Sequence, residues 1–256
     1  MIPLTLPRNP RYGWIPDKPD KRDLQYSTII VAVPPLPPET DVRANCSPVE
    51  NQGMLGSCTA NALVGNLEFL EKKNNHTLVN FSRLFLYYNE RVLEHKEATD
   101  SGAQIRDGVK TLAKTGICLE SLWPYIIAKF AVKPLQKAYK EAKHYEILKY
   151  FRVHGISEMK HTLATGYPFV FGFVVYDSFE SPIVAQTGVV PMPAAKEQIV
   201  GGHAVMAVGY NDTSKQFLIR NSWGADWGLK GYCLMPYEYL TNANLASDFW
   251  TIRTME

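Results

Sequence analysis

The run Val49-Glu-Asn-Gln-Gly-Met-Leu-Gly-Ser-Cys-Thr-Ala-Asn-Ala62 sets Cys58 just after the small residues Gly53, Gly56 and Ser57, where a helical spacing begins. A thiol at a helix start meets unpaired N–H groups and the positive end of the helix dipole. Both favour thiolate, so the position predicts a depressed pKa and a nucleophile. A cysteine standing alone is more often a packing residue; Cys58 has chemical company. Gly201-Gly-His-Ala-Val-Met-Ala-Val-Gly-Tyr210 places His203 at the mouth of a strand, and Phe217-Leu-Ile-Arg-Asn-Ser-Trp-Gly224 places Asn221 at the end of the next. A cysteine, a base that exchanges protons near neutral pH and a group that orients the base is the arrangement covalent catalysis needs. An Asn amide oxygen accepts the imidazole N–H without adding charge. The histidines His76, His95, His144, His154 and His161 lie in polar or loop contexts and are read as surface or structural. No His/Cys set has zinc-site spacing, so no metal site is expected. Cys46, Cys118 and Cys233 are read as ordinary half-buried thiols, and four cysteines are too few for a disulfide scaffold.

Two kinds of element must position these residues. From Cys58 to about 143 the pattern is helical: Ala60, Leu63, Val64, Leu67 and Leu70 recur at three-and-four spacing, as do Leu84, Tyr87, Tyr88, Val92 and Leu93 behind a Ser82 cap. A third helix over about 105–114 stops at Gly116, and a short one covers 136–143. From about 145 the pattern is strand-like, over 145–153, 169–176, 204–210, 216–222, 231–235 and 249–253. A helical half followed by a strand-rich half predicts an α+β fold in two lobes. Nine of the 17 prolines fall within residues 1–38, which read as an extended arm ending in Pro34-Pro35-Leu36-Pro37-Pro38. Tyr12, Trp14 and Ile15 favour a docked arm, because a solvated tail gains little from large apolar groups.

With these blocks in place, the sequence resembles the papain-like cysteine peptidases. Gln52-Gly53 through Ser57-Cys58, then His203-Ala204, then Asn221-Ser222-Trp223-Gly224 match in order. His203 lies 145 residues after Cys58, within the window of about 130–150 typical of that family, and Asn221 lies 163 after, somewhat beyond it. The resemblance covers residues 38–256. It implies a helical left lobe over about 39–144, a β-barrel-like right lobe over about 145–256, and a cleft between them. It assigns Cys58 as nucleophile, His203 as acid and base, Asn221 as the group that orients His203, and Trp223 as the shield over that hydrogen bond. Gln52 and the backbone N–H of Cys58 would form an oxyanion hole. Ser101, Gly102, Gly172, Ala204 and Trp223 would line the substrate cleft. Two positions depart from the family: Leu55 stands where a disulfide cysteine is usual, and Thr59 where an aromatic follows the nucleophile. About 38 Pro-rich residues cannot be a long helical prodomain, and a Tyr-Gly-Trp-x-Pro-Asp arm is similar to that of bacterial-type relatives.

The implied activity is hydrolysis of peptide bonds through a Cys58 thioester, which calls for no metal or organic cofactor, with acyl transfer by the same triad and catalytically silent peptide binding as the alternatives. The expected partners are a peptide or protein substrate and the chain's own arm, lying in the cleft as an intramolecular inhibitor. With 27 basic against 25 acidic residues in 256, the charge balance gives no reason to expect a nucleic acid. No apolar run approaches the roughly 20 residues of a membrane-spanning helix, and Pro3, Pro7 and Pro10 interrupt any signal-peptide pattern. The expected location is cytoplasmic, or exported without a recognisable signal peptide. The missing disulfide pair favours a reducing compartment.

Overall fold

The computed structural model describes residues 6, 11–30, 35–75 and 77–255; the readings at His76, Pro3, Pro7, Pro10 and Pro34 lie outside them. The helices that dominate the first half are α1 (Cys58–Asn75), α2 (Arg83–Leu93), α3 (Ile105–Lys114) and α4 (Gln136–Ala142). Strand β1 (Glu39–Asp41) precedes them. After them come β2 (Ile147–Arg152), α5 (Gly155–Ala164), β3 (Phe169–Tyr176), α6 (Pro182–Thr187), β4 (Ile199–Asn211), β5 (Gln216–Arg220), β6 (Tyr232–Pro236), α7 (Tyr237–Thr241) and β7 (Ala246–Met255). This is the expected α+β class. Helix α5 falls inside the half expected to be strands, because a ten-residue helix between two strong strand patterns is outweighed by its neighbours.

The sheet is antiparallel in the order β2-β7-β3-β4-β5-β6, with β1 added on β4 beyond the end of β3. Among the described residues β2 and β6 do not pair, so the sheet curves without closing into the barrel that the resemblance implies. β3 shows why a strand can be a continuous apolar run. Val170 and Val174 face the core shared with α1–α3, while Phe169, Phe171 and Phe173 face a second, aromatic core beneath α5 and α7. Gly172 lies between Val170 and Val174, on the helix-facing side, where the missing side chain leaves room.

α1 runs between the two halves and is buried around its whole circumference as far as Glu71, more than its amphipathic spacing suggests. Burial on that scale requires its polar residues to find partners. Glu68, nearly inaccessible, accepts hydrogen bonds from Arg83 at 2.8 and 3.1 Å, from Ser47 at 2.5 Å and from the Phe81 N–H at 3.2 Å. The Ser82 cap forms as expected, its hydroxyl accepting from the Phe85 N–H at 3.0 Å. No helix among the described residues is long and apolar enough to cross a membrane.

Removing one partner of a buried ion pair strands the other, at a cost of about 3–5 kcal/mol. Arg83→Met should therefore lower unfolding stability in urea by about that amount. The double variant Glu68→Gln/Arg83→Met should recover most of it, and a fully additive double variant would refute this account of the pair.

Candidate active site

Cys58 is the first residue of α1, His203 lies in β4 opposite Phe173 of β3, and Asn221 follows β5 directly. The chain thus brings a helix start from one half against two strands of the other. His203 Nε2 donates to Asn221 Oδ1 at 2.8 Å, and that oxygen also accepts the Ser222 N–H at 2.8 Å. With Nε2 as donor, the Nδ1 nitrogen is left as the proton acceptor, and it is buried without a hydrogen-bond partner. The Ala204 N–H lies against the Cys58 sulfur, which places the thiol beside the histidine's own backbone. Trp223 stacks over the imidazole at 5.1 Å and 29°, covering the ring whose Nε2 binds Asn221.

Gln52 is fixed from both sides. Its backbone N–H donates to Ser222 O at 2.9 Å, and the Ser222 hydroxyl donates to Gln52 Oε1 at 2.6 Å. The amide oxygen being occupied, Gln52 Nε2 is held as a donor toward the cleft. The sequence shows Ser222 only as part of a matching block; its role in turning the Gln52 amide depends on a contact 170 residues apart in the chain. Tyr125 is a second residue that sequence reasoning missed. Its hydroxyl donates to Gln52 O at 2.9 Å and pairs with the Ser57 hydroxyl at 2.5 Å, bracing the loop before Cys58. Thr59 donates at 2.8 Å to the buried carboxyl of Glu90, which burial drives well above the usual carboxylate range. A small hydroxyl therefore satisfies an acid at the position where an aromatic was expected. Cys46, Cys118 and Cys233 are unpaired thiols, and all are buried rather than half-buried.

The arm occupies the cleft. Gln52 Nε2 donates to the carbonyl of Arg11 at 2.9 Å, and the Gly13 N–H faces the Cys58 sulfur. The Ala103 N–H donates to Gly13 O at 2.8 Å, the Ile15 N–H to Ala103 O at 3.0 Å, and the Trp14 N–H to Gly202 O at 3.0 Å. Tyr12 packs edge-on against His203 at 5.7 Å and donates its hydroxyl to Glu180. Trp14 lies on Gly172, where an added Cβ would be 1.9 Å from its ring. Gly102, at φ +72°, lets the Gly13 carbonyl approach where a side chain would clash at 2.1 Å. The segment that crosses Gln52, Cys58, His203 and Gly172 is thus Arg11-Tyr12-Gly13-Trp14, with no proline in it.

Of the expected cleft residues, Gly102, Gly172, Ala204 and Trp223 all surround Cys58, His203 or the arm. Ser101 instead turns its hydroxyl onto the carbonyl of Gly102 at 3.0 Å. The expected thiolate is reversed in this arrangement. Burial pushes the Cys58 thiol up to about 12, outweighing the N–H groups of Ala204, Gly13 and Thr59 that favour the anion. Burial likewise lowers His203 to about 4, against the hydrogen bond to Asn221. The pair is held as neutral thiol and neutral imidazole.

The comparisons agree with this geometry. Residues 36–251 match the model of the papain family cysteine proteases. The chain is 45% identical over 276 residues to a protein of Acanthamoeba polyphaga mimivirus described as an uncharacterised peptidase C1-like protein, covering 97% of this chain and 88% of that one. It is 30% identical to cathepsin K of Gallus gallus over 212 residues, covering 78% of this chain and 59% of the cathepsin. The crystal structure of xylellain, a cysteine protease from Xylella fastidiosa, superposes with a TM-score of 0.85 at 41% identity over the whole of both chains. The chain belongs to the papain family of cysteine proteases.

A thiol held near 12 reacts slowly with alkylating reagents, since thiolate is the reactive form. Iodoacetamide labelling of Cys58 in the full chain should keep rising about tenfold per pH unit above pH 9, where an ordinary thiol with a pKa of about 8.5 levels off. Gly13→Ala would place a methyl 1.7 Å from Gly56 O. That clash should unseat the arm and speed labelling at pH 8 by at least about tenfold. An unchanged rate would show that something other than the arm protects the thiol.

Proposed function

We propose that this chain hydrolyses peptide bonds through a Cys58 acyl-enzyme, with His203 as acid and base, Asn221 as its positioning partner and Gln52 in the oxyanion hole. One observation carries the reading: Gln52 Nε2 already receives a peptide carbonyl, that of Arg11, two residues before the Gly13 whose N–H faces the Cys58 sulfur. A substrate carbonyl in that place would meet a second donor, the Cys58 N–H, which lies in the first turn of α1 and has no partner within the helix. His203 Nδ1 takes the thiol proton as sulfur attacks the carbonyl carbon, and the negative charge moves to the oxygen between the two donors. The C–N bond then breaks, with the imidazolium protonating the leaving amine. Water, deprotonated by the same imidazole, cleaves the thioester to acid and free thiol.

The arm, in this reading, is an intramolecular inhibitor. Tethering gives it a high effective concentration at the cleft. Its orientation sets it apart from a substrate: the Gly13 N–H, not a carbonyl carbon, faces the sulfur, and Trp14 pairs in parallel with Ala103. The segment in the cleft carries no proline, so proline content is not what would protect it from cleavage.

The assignment is tested by variants in the full chain. Cys58→Ala should abolish hydrolysis with the fold intact. Asn221→Ala and Gln52→Ala should lower kcat far more than they raise KM, Gln52→Ala by about 10²–10³-fold. Ser222→Ala should follow Gln52→Ala in direction with a smaller loss. Cys46→Ser, Cys118→Ser and Cys233→Ser should stay active. Turnover by well-folded Cys58→Ala would overturn the mechanism, and amide products formed from an added amine in preference to acid would make the enzyme a transferase.

A further inference from the structure

Beyond Trp14 the arm leaves the cleft along a track whose core side is cationic. Arg106, near the start of α3, donates from Nε to Asp23 at 2.9 Å and from Nη2 to the same carboxylate, and from Nη1 to the carbonyl of Lys18. Its backbone N–H donates to Asp17 at 3.1 Å. Arg152, at the end of β2, donates to Asp17 at 2.8 Å, to Asp23 at 2.9 Å and to Asp248 at 3.1 Å. The Trp250 indole N–H donates to Asp17 at 3.0 Å. These guanidinium groups are almost wholly covered, at 5% and 12% side-chain exposure. A groove of about 320 Å³ continues the track past Lys110 and Lys114 on the same face of α3.

The charges divide unevenly between arm and core. The arm brings two carboxylates, Asp17 and Asp23, to these groups. The core brings two guanidinium groups against one acid, Asp248, while the nearby Asp107 and Glu94 are engaged with each other and with Lys96. When the arm leaves, Arg106 and Trp250 lose their carboxylate acceptors, Arg152 keeps only Asp248, and the exposed track is net positive. Buried guanidinium donors arranged in forks match carboxylates in geometry as well as charge. The track is also continuous with the cleft, because Asp17 is only three residues from Trp14 and four from the Gly13 that faces Cys58.

We propose that Arg106, Arg152 and Trp250 form a binding site for an acidic segment of the substrate polypeptide, which the arm's Asp17 and Asp23 occupy in its absence. The inference rests on the hydrolase reading and names its substrate class: proteins carrying carboxylates on the side of the scissile bond that binds over Gly172 and along Gly102-Ala103. The arm pairs in parallel with Ala103 at Trp14; for a substrate lying antiparallel along the same residues, these carboxylates lie N-terminal to the bond that is cut. An acidic segment then serves twice, displacing the arm and holding the chain to be cleaved.

The test uses the full chain and two quenched fluorescent peptides, identical except that one carries Asp and the other Asn at two positions. Those positions lie about three and about nine residues N-terminal to the residue placed over Gly172, matching the reach from Trp14 to Asp17 and Asp23. The ratio of their kcat/KM values in one preparation does not depend on how many molecules have the arm undocked, so variants that loosen the arm can be compared. Charge-assisted hydrogen bonds of this kind predict an Asp preference of at least about tenfold. Arg106→Gln and Arg152→Gln should each reduce that preference toward unity. If either variant fails to fold, the unaltered chain supplies a second readout: the Asp peptide, and not the Asn peptide, should speed iodoacetamide labelling of Cys58. Equal cleavage of the two peptides, or a preference untouched by both substitutions, would overturn the site. Cleavage of neither peptide would overturn the hydrolase reading, and the labelling comparison would then decide the acidic site by itself.

Discussion

The two halves are joined where Gln52 meets Ser222, and the rest of the site depends on that junction. The Gln52 N–H and side-chain oxygen both bind Ser222, at 2.9 and 2.6 Å, while Gly224 N donates back to Glu50 O at 3.0 Å. Arg220 adds a bond to Pro48 O at 2.6 Å. These contacts fasten the segment leading into α1 onto the end of β5. They fix in one step the donor Gln52 Nε2, the start of α1 with Cys58, and the Asn221 that holds His203. A shift of one strand residue would turn Asn221 and Ser222 to opposite faces and undo all three.

Burial then sets the chemistry. A helix start favours thiolate, yet burial makes the same thiol a weak acid here, against the N–H groups of Ala204, Gly13 and Thr59. The neutral pair is thus a property of the covered site. The polypeptide that covers it is anchored at two points of different character: backbone bonds to Gly202 and Ala103 within the cleft, and the carboxylates of Asp17 and Asp23 on Arg106 and Arg152 beyond it.

Much of the site was legible in the sequence because its chemistry demands particular residue types in particular local settings. Cys58 at a helix start, His203 entering a strand and Asn221 leaving one are each visible within about ten residues. The α+β order was legible for the same reason, since periodicity is local. What escaped was long-range. The burial of α1 on all sides depends on partners such as Arg83, and the Ser222–Gln52 bond spans 170 residues. The Trp14–Asp248 hydrogen bond, at 3.2 Å, spans 234. Neither the open edge of the sheet nor the reversed thiol pKa could be read locally, because both follow from which segments pack together.

The central claim, that Cys58 forms the acyl-enzyme, is tested most directly by trapping it. Intact-mass spectrometry of the full chain, quenched in acid during turnover of a slowly deacylated ester, followed by peptide mapping, reads the intermediate itself. The account predicts a single acyl adduct on the peptide containing Cys58, lost on treatment with hydroxylamine as a thioester should be. Hydrolysis proceeding with no adduct, or with the acyl group on Cys46, Cys118 or Cys233, would contradict it.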